Sequence, residues 1–129
     1  MWNRNVVVAA ALFVAACSST TESNDRGASL TLVEPGDQTL ERGETNQIMV
    51  AINRDNFSGP VTIRFENLPR GVTVVEPNPT IPAGERVKRF TLRADVDAAV
   101  VENHRVVIRA DGADGLMVTE AFNVTVKAR

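Results

Sequence analysis

The chain has no tyrosine, one tryptophan, one histidine and one cysteine. Each scarcity closes off a class of function. A single cysteine, Cys17, cannot form an internal disulfide, so this is not a disulfide-stapled scaffold, and a lone free thiol in an oxidising compartment would be a liability. A single histidine, His104, has no second imidazole with which to share a metal. It opens the run Val106-Val107-Ile108 beside Glu102-Asn103, where a packed strand-edge role suits it. There is no nucleophile elbow, no His-Glu-x-x-His and no phosphate-cradling glycine loop. The expectation is a non-enzyme with no catalytic residues and no cofactor. Aromatics are equally thin. Trp2 and Phe13 lie in the opening segment, and of Phe57, Phe65, Phe90 and Phe122 only Phe57 is off a core-facing position. Stacking on sugar rings or bases needs exposed aromatic platforms, which argues against a carbohydrate binder of that kind and against single-strand nucleic-acid binding. Long apolar runs are also missing. The eleven residues Val6 to Ala16 carry no polar side chain, but as a helix they reach about 16 Å, half of a hydrocarbon core.

What is present begins with that run. Arg4 and the free amine make the start positive, and no acid precedes Glu22. A positive start, a short apolar stretch and small residues at its end describe a secretory signal. Its last residues, Val14-Ala15-Ala16-Cys17, resemble the lipobox of bacterial lipoproteins, with valine where leucine is commoner. That resemblance implies that residues 1–16 are a signal peptide cut before Cys17. It also implies that the Cys17 thiol receives a diacylglyceryl group and that the new amino terminus is acylated. One acyl chain holds a protein only marginally and stable anchoring takes two or more, so such a Cys17 would fix the chain to a membrane. In lipoprotein sorting, a residue such as Ser18 after the cysteine favours the outer membrane, whereas Asp would favour the inner one. The expected location is thus a bacterial cell envelope.

Without residues 1–16 the basic total falls from 14 to 13 against 16 acids, a formal charge of -3, which signals no nucleic acid. Residues 18–28, SSTTESNDRGA, hold no large apolar side chain. With so little surface to bury, residues 17–28 read as a lipidated cysteine and a flexible tether with a span of roughly 20 Å.

From Ser29 to Arg129 the pattern has period two. Ile48, Val50 and Ile52, then Val61, Ile63 and Phe65, then Phe90, Leu92 and Ala94, then Val106, Ile108 and Ala110, then Phe122, Val124 and Val126 each alternate with mostly polar neighbours. This is the signature of antiparallel strands with one face buried. Weaker strands are expected near 30–33, 38–41, 72–75 and 116–119. Turn residues punctuate the runs at Glu34-Pro35-Gly36-Asp37, Ser58-Gly59-Pro60, Pro77-Asn78-Pro79 and Pro82-Ala83-Gly84. About seven short strands in one such segment predict an all-β protein with a single immunoglobulin-like antiparallel sandwich. The stretches Asn67-Leu68-Pro69-Arg70-Gly71-Val72-Thr73, Thr80-Ile81-Pro82-Ala83-Gly84-Glu85 and Phe90-Thr91-Leu92-Arg93-Ala94 are similar to immunoglobulin-like modules of bacterial envelope and secreted proteins. That resemblance implies the fold and leaves the role open, since such modules serve as spacers, connectors and binders alike.

Two candidate sites remain. In an immunoglobulin arrangement the strands around 61–66, 106–110 and 122–126 are neighbours, so outward Arg64, Arg105, Arg109 and Lys127 would form a basic face. Arg89 and Arg93 point outward from the opposite sheet, and the acids, Asp111 and Asp114 among them, are expected in loops. Such a face suits an acidic envelope protein or an anionic glycan. Long basic side chains also serve simply to solvate a sheet. Asp95, Asp97 and Glu102 offer hard oxygens to calcium, but their spacing matches no calcium loop. The function expected is a non-catalytic, membrane-anchored interaction or structural module, with a calcium or anionic-glycan binder as the alternative.

Overall fold

A computed structural model describes residues 19–113 and 115–129. Cys17, Ser18, the signal-like run and Asp114 lie outside the described residues. Ten strands follow one another: β1 (Ser19–Ser23), β2 (Ser29–Val33), β3 (Gln38–Glu41), β4 (Thr45–Asp55), β5 (Val61–Glu66), β6 (Val72–Val74), β7 (Thr80–Ile81), β8 (Val87–Ala94), β9 (Val101–Asp111) and β10 (Met117–Lys127). They form two five-stranded sheets, ordered β1-β2-β4-β8-β6 and β3-β10-β9-β5-β7. Pairing is antiparallel throughout except where β3 runs parallel to β10. The chain changes sheet between β2 and β3, the crossing made by Glu34-Pro35-Gly36-Asp37. Reading β2, β4, β8 and β6 as strands A, B, E and D, and β5, β9 and β10 as C, F and G, gives the two sheets of an immunoglobulin sandwich. The fold is therefore the expected one.

The alternation in the sequence is the reason the sheets face each other. Leu30, Leu32, Ile48, Val50, Ile52, Phe90 and Leu92 are buried from one sheet, and Val61, Ile63, Val106, Ile108, Phe122 and Val124 from the other. Burying one such side chain is worth about 1.5–3 kcal/mol, so a core of this size needs no disulfide. The half-buried ring of Phe65 meets the edges of Phe90 at 5.2 Å and Phe122 at 6.3 Å, linking the sheets. Among the described residues the three non-glycine residues with positive φ are all asparagine: Asn56 and Asn67 in turns, and Asn103 at a bulge where β9 carries one residue more than β10. Asparagine tolerates that conformation better than most residues.

One expectation is corrected. Ser19–Ser23 is a strand, not a tether: it pairs with all five residues of β2, from Ser19 opposite Val33 to Ser23 opposite Ser29. Composition reports only what a segment can bury, whereas β1 is held by its backbone ladder to β2. Two hydroxyls help. Thr21 and Thr31 share a hydrogen bond of 2.6 Å, and Thr20 donates to the Glu120 carboxylate across the sandwich at 2.6 Å. The Asn24 side chain closes the β1–β2 turn by accepting the N–H groups of Arg26 and Ala28. Among the described residues the folded unit thus extends back beyond Ser29 to Ser19.

Candidate functional site

An apolar opening sits where the two sheets part, between β5 and β6. On its outer edge β5 is paired with β7 only at Val61 and Thr62, extended by the Ile63 N–H donating to the Pro79 carbonyl at 2.8 Å. Beyond that point no described strand lies on the outer side of Arg64–Glu66, away from β9, and none lies on the outer edge of β6. Between these two unpaired edges is a groove of about 460 Å³. Ile63, Phe65, Leu68, Val72, Val74 and Phe90 give it an apolar floor, with Arg64, Glu66 and Glu76 at the rim.

Local sequence explains why the groove stays open. After β5 the chain turns at Asn67, buries Pro69, and reverses with the Val72 N–H donating to the Pro69 carbonyl. Gly71, at φ +87°, lies against the backbone of Ala98, and a Cβ there would come within 2.6 Å of the Ala98 Cα. Asp95 and Ala99 donate their N–H groups to the carbonyls of Gly71 and Arg70, fastening this corner to the β8–β9 loop. At the opposite end Arg54 holds the Ile81 end of β7 and the turn that follows it. Its guanidinium donates to the carbonyls of Gly59 (2.7 Å), Ile81 (3.1 Å), Pro82 (2.9 Å) and Glu85. The Pro82-Ala83-Gly84-Glu85 turn carries Gly84 at φ +87°, as a turn with a left-handed third residue requires. Two of the three stretches behind the resemblance to envelope modules, Asn67–Thr73 and Thr80–Glu85, are therefore frame pieces at opposite ends of the groove.

Glu76 follows the last residues of β6 and continues its ladder with a side chain. One carboxylate oxygen accepts the Thr91 N–H and the other the Thr91 hydroxyl, each at 2.7 Å. The Thr91 backbone N–H is the main reason this carboxyl is held below the usual 4.5. Partial desolvation opposes it, and the Thr91 hydroxyl, the Glu76 N–H and the charge of Lys88 add to the lowering.

The predicted basic face is assembled in part. β5, β9 and β10 are neighbours, and Arg64 stands opposite Arg109. Arg105 is opposite Asn123, while Lys127 lies at the far end of β10 beside Glu41 of β3. Acids share the face. Asp111 is the last residue of β9, not a loop residue, and its carboxylate takes the Arg109 Nε–H at 3.1 Å. Glu66 stands opposite the outward Val107. The calcium candidates are not gathered: Asp95 and Asp97 lie in the β8–β9 loop and Glu102 in β9, and no group of three or more acids, His or Cys that could hold a metal occurs among the described residues. His104 donates Nε2–H to the Asn67 carbonyl at 2.8 Å, which ties the β9 bulge to the groove corner. Phe57, the one aromatic with a chance of exposure, is half-buried against the core beside Gly112.

Arg54, Glu76 and Glu120 were not singled out from the sequence. Arg54 had a signal: it continues the inward parity of Ile48, Val50 and Ile52, where a charge is unexpected unless it is hydrogen-bonded.

No protein-family model matches the sequence, and no curated protein matches it. Among solved structures the chain is similar to a chimeric titin Z1Z2 functionalised with a KLER peptide from decorin. There the TM-score is 0.48 and the identity 17%, covering 85% of this chain and 99% of that one. It is also similar to a titin M10–obscurin like 1 Ig complex, with TM-score 0.44 and 14% identity, covering 88% and 97%. The titin M3 domain gives 0.45 and 7%, covering 84% and 96%. These are likenesses of architecture, and the immunoglobulin-like assignment rests on the strand order itself.

Proposed function

We propose that this chain is a non-catalytic interaction module of a bacterial cell envelope, held to the membrane through an acylated Cys17 and engaging an extended segment of another envelope protein. The groove between β5 and β6 carries this reading. Two unpaired strand edges beside an apolar floor can accept an added strand, whose backbone satisfies one edge while an apolar side chain fills the groove. Anchoring supports the same role, because confinement to a membrane raises the effective concentration of a weak binder for its neighbours. The lipobox-like Val14-Ala15-Ala16-Cys17 supports the anchor, and Ser18 supports an outer-membrane destination. A glycan partner on the Arg64, Arg105, Arg109 and Lys127 face is the weaker reading, since Glu66 and the paired Asp111 occupy that face too.

A photoreactive residue placed at Val74 in the groove, with Thr119 on the outer face of β10 as control, tests the partner site in living cells. A discrete protein adduct at Val74 alone is the expected result. The same adducts at both positions would remove the groove from consideration. The anchor is tested separately, by replacing Cys17 with serine and asking whether the protein leaves the membrane fraction.

A further inference from the structure

The outer face of the β1-β2-β4-β8-β6 sheet is unlike the rest of the surface. Met49 is 50% exposed and faces Arg89, Val87 is 46% exposed and faces Ala51, and Val75 beyond β6 is 52% exposed. Thr45 stands opposite Arg93 and Gln47 opposite Thr91. Arg89 and Arg93 are exposed and have no ion pair among the described residues. On the outward parity of the described strands the one acid is Asp55 at an end of β4, the exposed Glu22 of β1 falling on the parity of Leu30, while Glu76 at the rim is committed to Thr91. The opposite sheet, by contrast, interleaves its arginines with Glu66 and Asp111. An apolar centre flanked by unpaired arginines is the pattern of a surface that meets anionic headgroups.

The position of the first strand says which headgroups. β1 is the edge of this same sheet and begins at Ser19, two residues after Cys17. Two residues span at most about 7 Å. Lipids on Cys17 would therefore pin the sheet at one edge, with Arg89 and Arg93 three strands away, about 14 Å across the face. We propose that the outer face of the β1-β2-β4-β8-β6 sheet lies on the anionic phospholipid surface that holds the acyl chains of Cys17, with Met49 and Val87 against the headgroups and Arg89 and Arg93 on lipid phosphates. This rests on the acylation of Cys17 under the proposed function. It leaves the β5–β6 groove, at the far edge of the sheet, opening sideways along the membrane.

The test uses the full chain, expressed with its signal and purified from membranes, and its intact mass. A mass that retains residues 1–16 or lacks acyl groups on Cys17 would overturn the anchor, and this inference with it. Given the acylated form, the absence of tryptophan and tyrosine after residue 16 makes an introduced tryptophan a unique probe. Met49→Trp is compared with Val107→Trp on the opposite sheet, in vesicles with one quarter phosphatidylglycerol in phosphatidylcholine. Acrylamide quenching of the residue-49 probe should fall by about threefold relative to the residue-107 probe, and brominated lipid should quench only the former. Adding Arg89→Glu and Arg93→Glu should return the two probes to equal quenching. Equal quenching in the unreversed protein would overturn the proposal, as would protection at residue 49 that survives the charge reversal.

Discussion

The two ends of the sandwich are closed by different physics. At one end, the Asn67–Gly71 corner meets the β8–β9 loop backbone to backbone, with Gly71 against Ala98. At the other, the Pro82–Glu85 turn, the end of β7 and the Gly59 loop are bridged by one guanidinium, Arg54, that serves four carbonyls. The first closure depends on shape and has no slack, because interiors are packed too densely to absorb an added methyl. The second depends on donors, and its cost on removal is set by how many carbonyls water can reach afterwards. A contact of shape is lost all at once, whereas a hydrogen-bonded hub can be lost in part.

Substitutions at the two ends put that difference to work. Gly71→Ala should have the largest effect, a loss of about 3 kcal/mol or more, because strain at φ +87° and a 2.6 Å approach to Ala98 add. Gly84 has the same φ but open space around it, so Gly84→Ala should cost only about 1–2 kcal/mol of conformational strain. Urea midpoints for the pair separate shape from dihedral, and equal losses would refute the claim that Gly71 is held by contact. Between them falls Arg54→Met, which keeps the apolar stem and drops the donors, with an expected loss of about 2–3 kcal/mol. Arg54→Lys should recover part of this, since an ammonium is a point charge without the planar fork. Full recovery by lysine would mean that charge alone, not the hub geometry, closes that end.

The smallest effect belongs to Glu76, which lies between the ends. Its folded pKa is lowered, so the unfolded chain binds the proton more readily. Its stabilisation is present above the ordinary carboxylate value of 4.5 and fades as pH drops through the lower folded value. Glu76→Gln should therefore flatten the decline in stability on acidification and leave the slope above pH 6 alone, as followed by urea melts from pH 7 to pH 3.

The strands that carry the core were legible because burial imposes a period on sequence. Ile48-Val50-Ile52 and Val106-Ile108-Ala110 state their own orientation, and the sheet order followed from the fold they implied. β1 was illegible for the complementary reason: Ser, Thr and Glu side chains report nothing about a backbone that pairs with an edge. The basic face was half legible. Parity put Arg64, Arg105 and Arg109 outward correctly, but parity does not say that Asp111 ends the same strand as Arg109 and neutralises it. The groove was not legible from the strand pattern, since it arises from where β7 stops pairing with β5, and that is the Pro79 end of β7, where proline has no N–H to continue the ladder.

The β1–β2 hairpin has a mechanical consequence. Its open end is at Ser19, opposite Val33, and its turn is at the far end. A pull applied from the amino-terminal side therefore loads the ladder one pair at a time, as a zipper, rather than all pairs together in shear. Peeling would free residues 19–28, roughly 33 Å of extended chain, before the force reached the core strands. The segment can thus act as a fuse: short and stiff at rest, it lengthens under load and spares the sandwich.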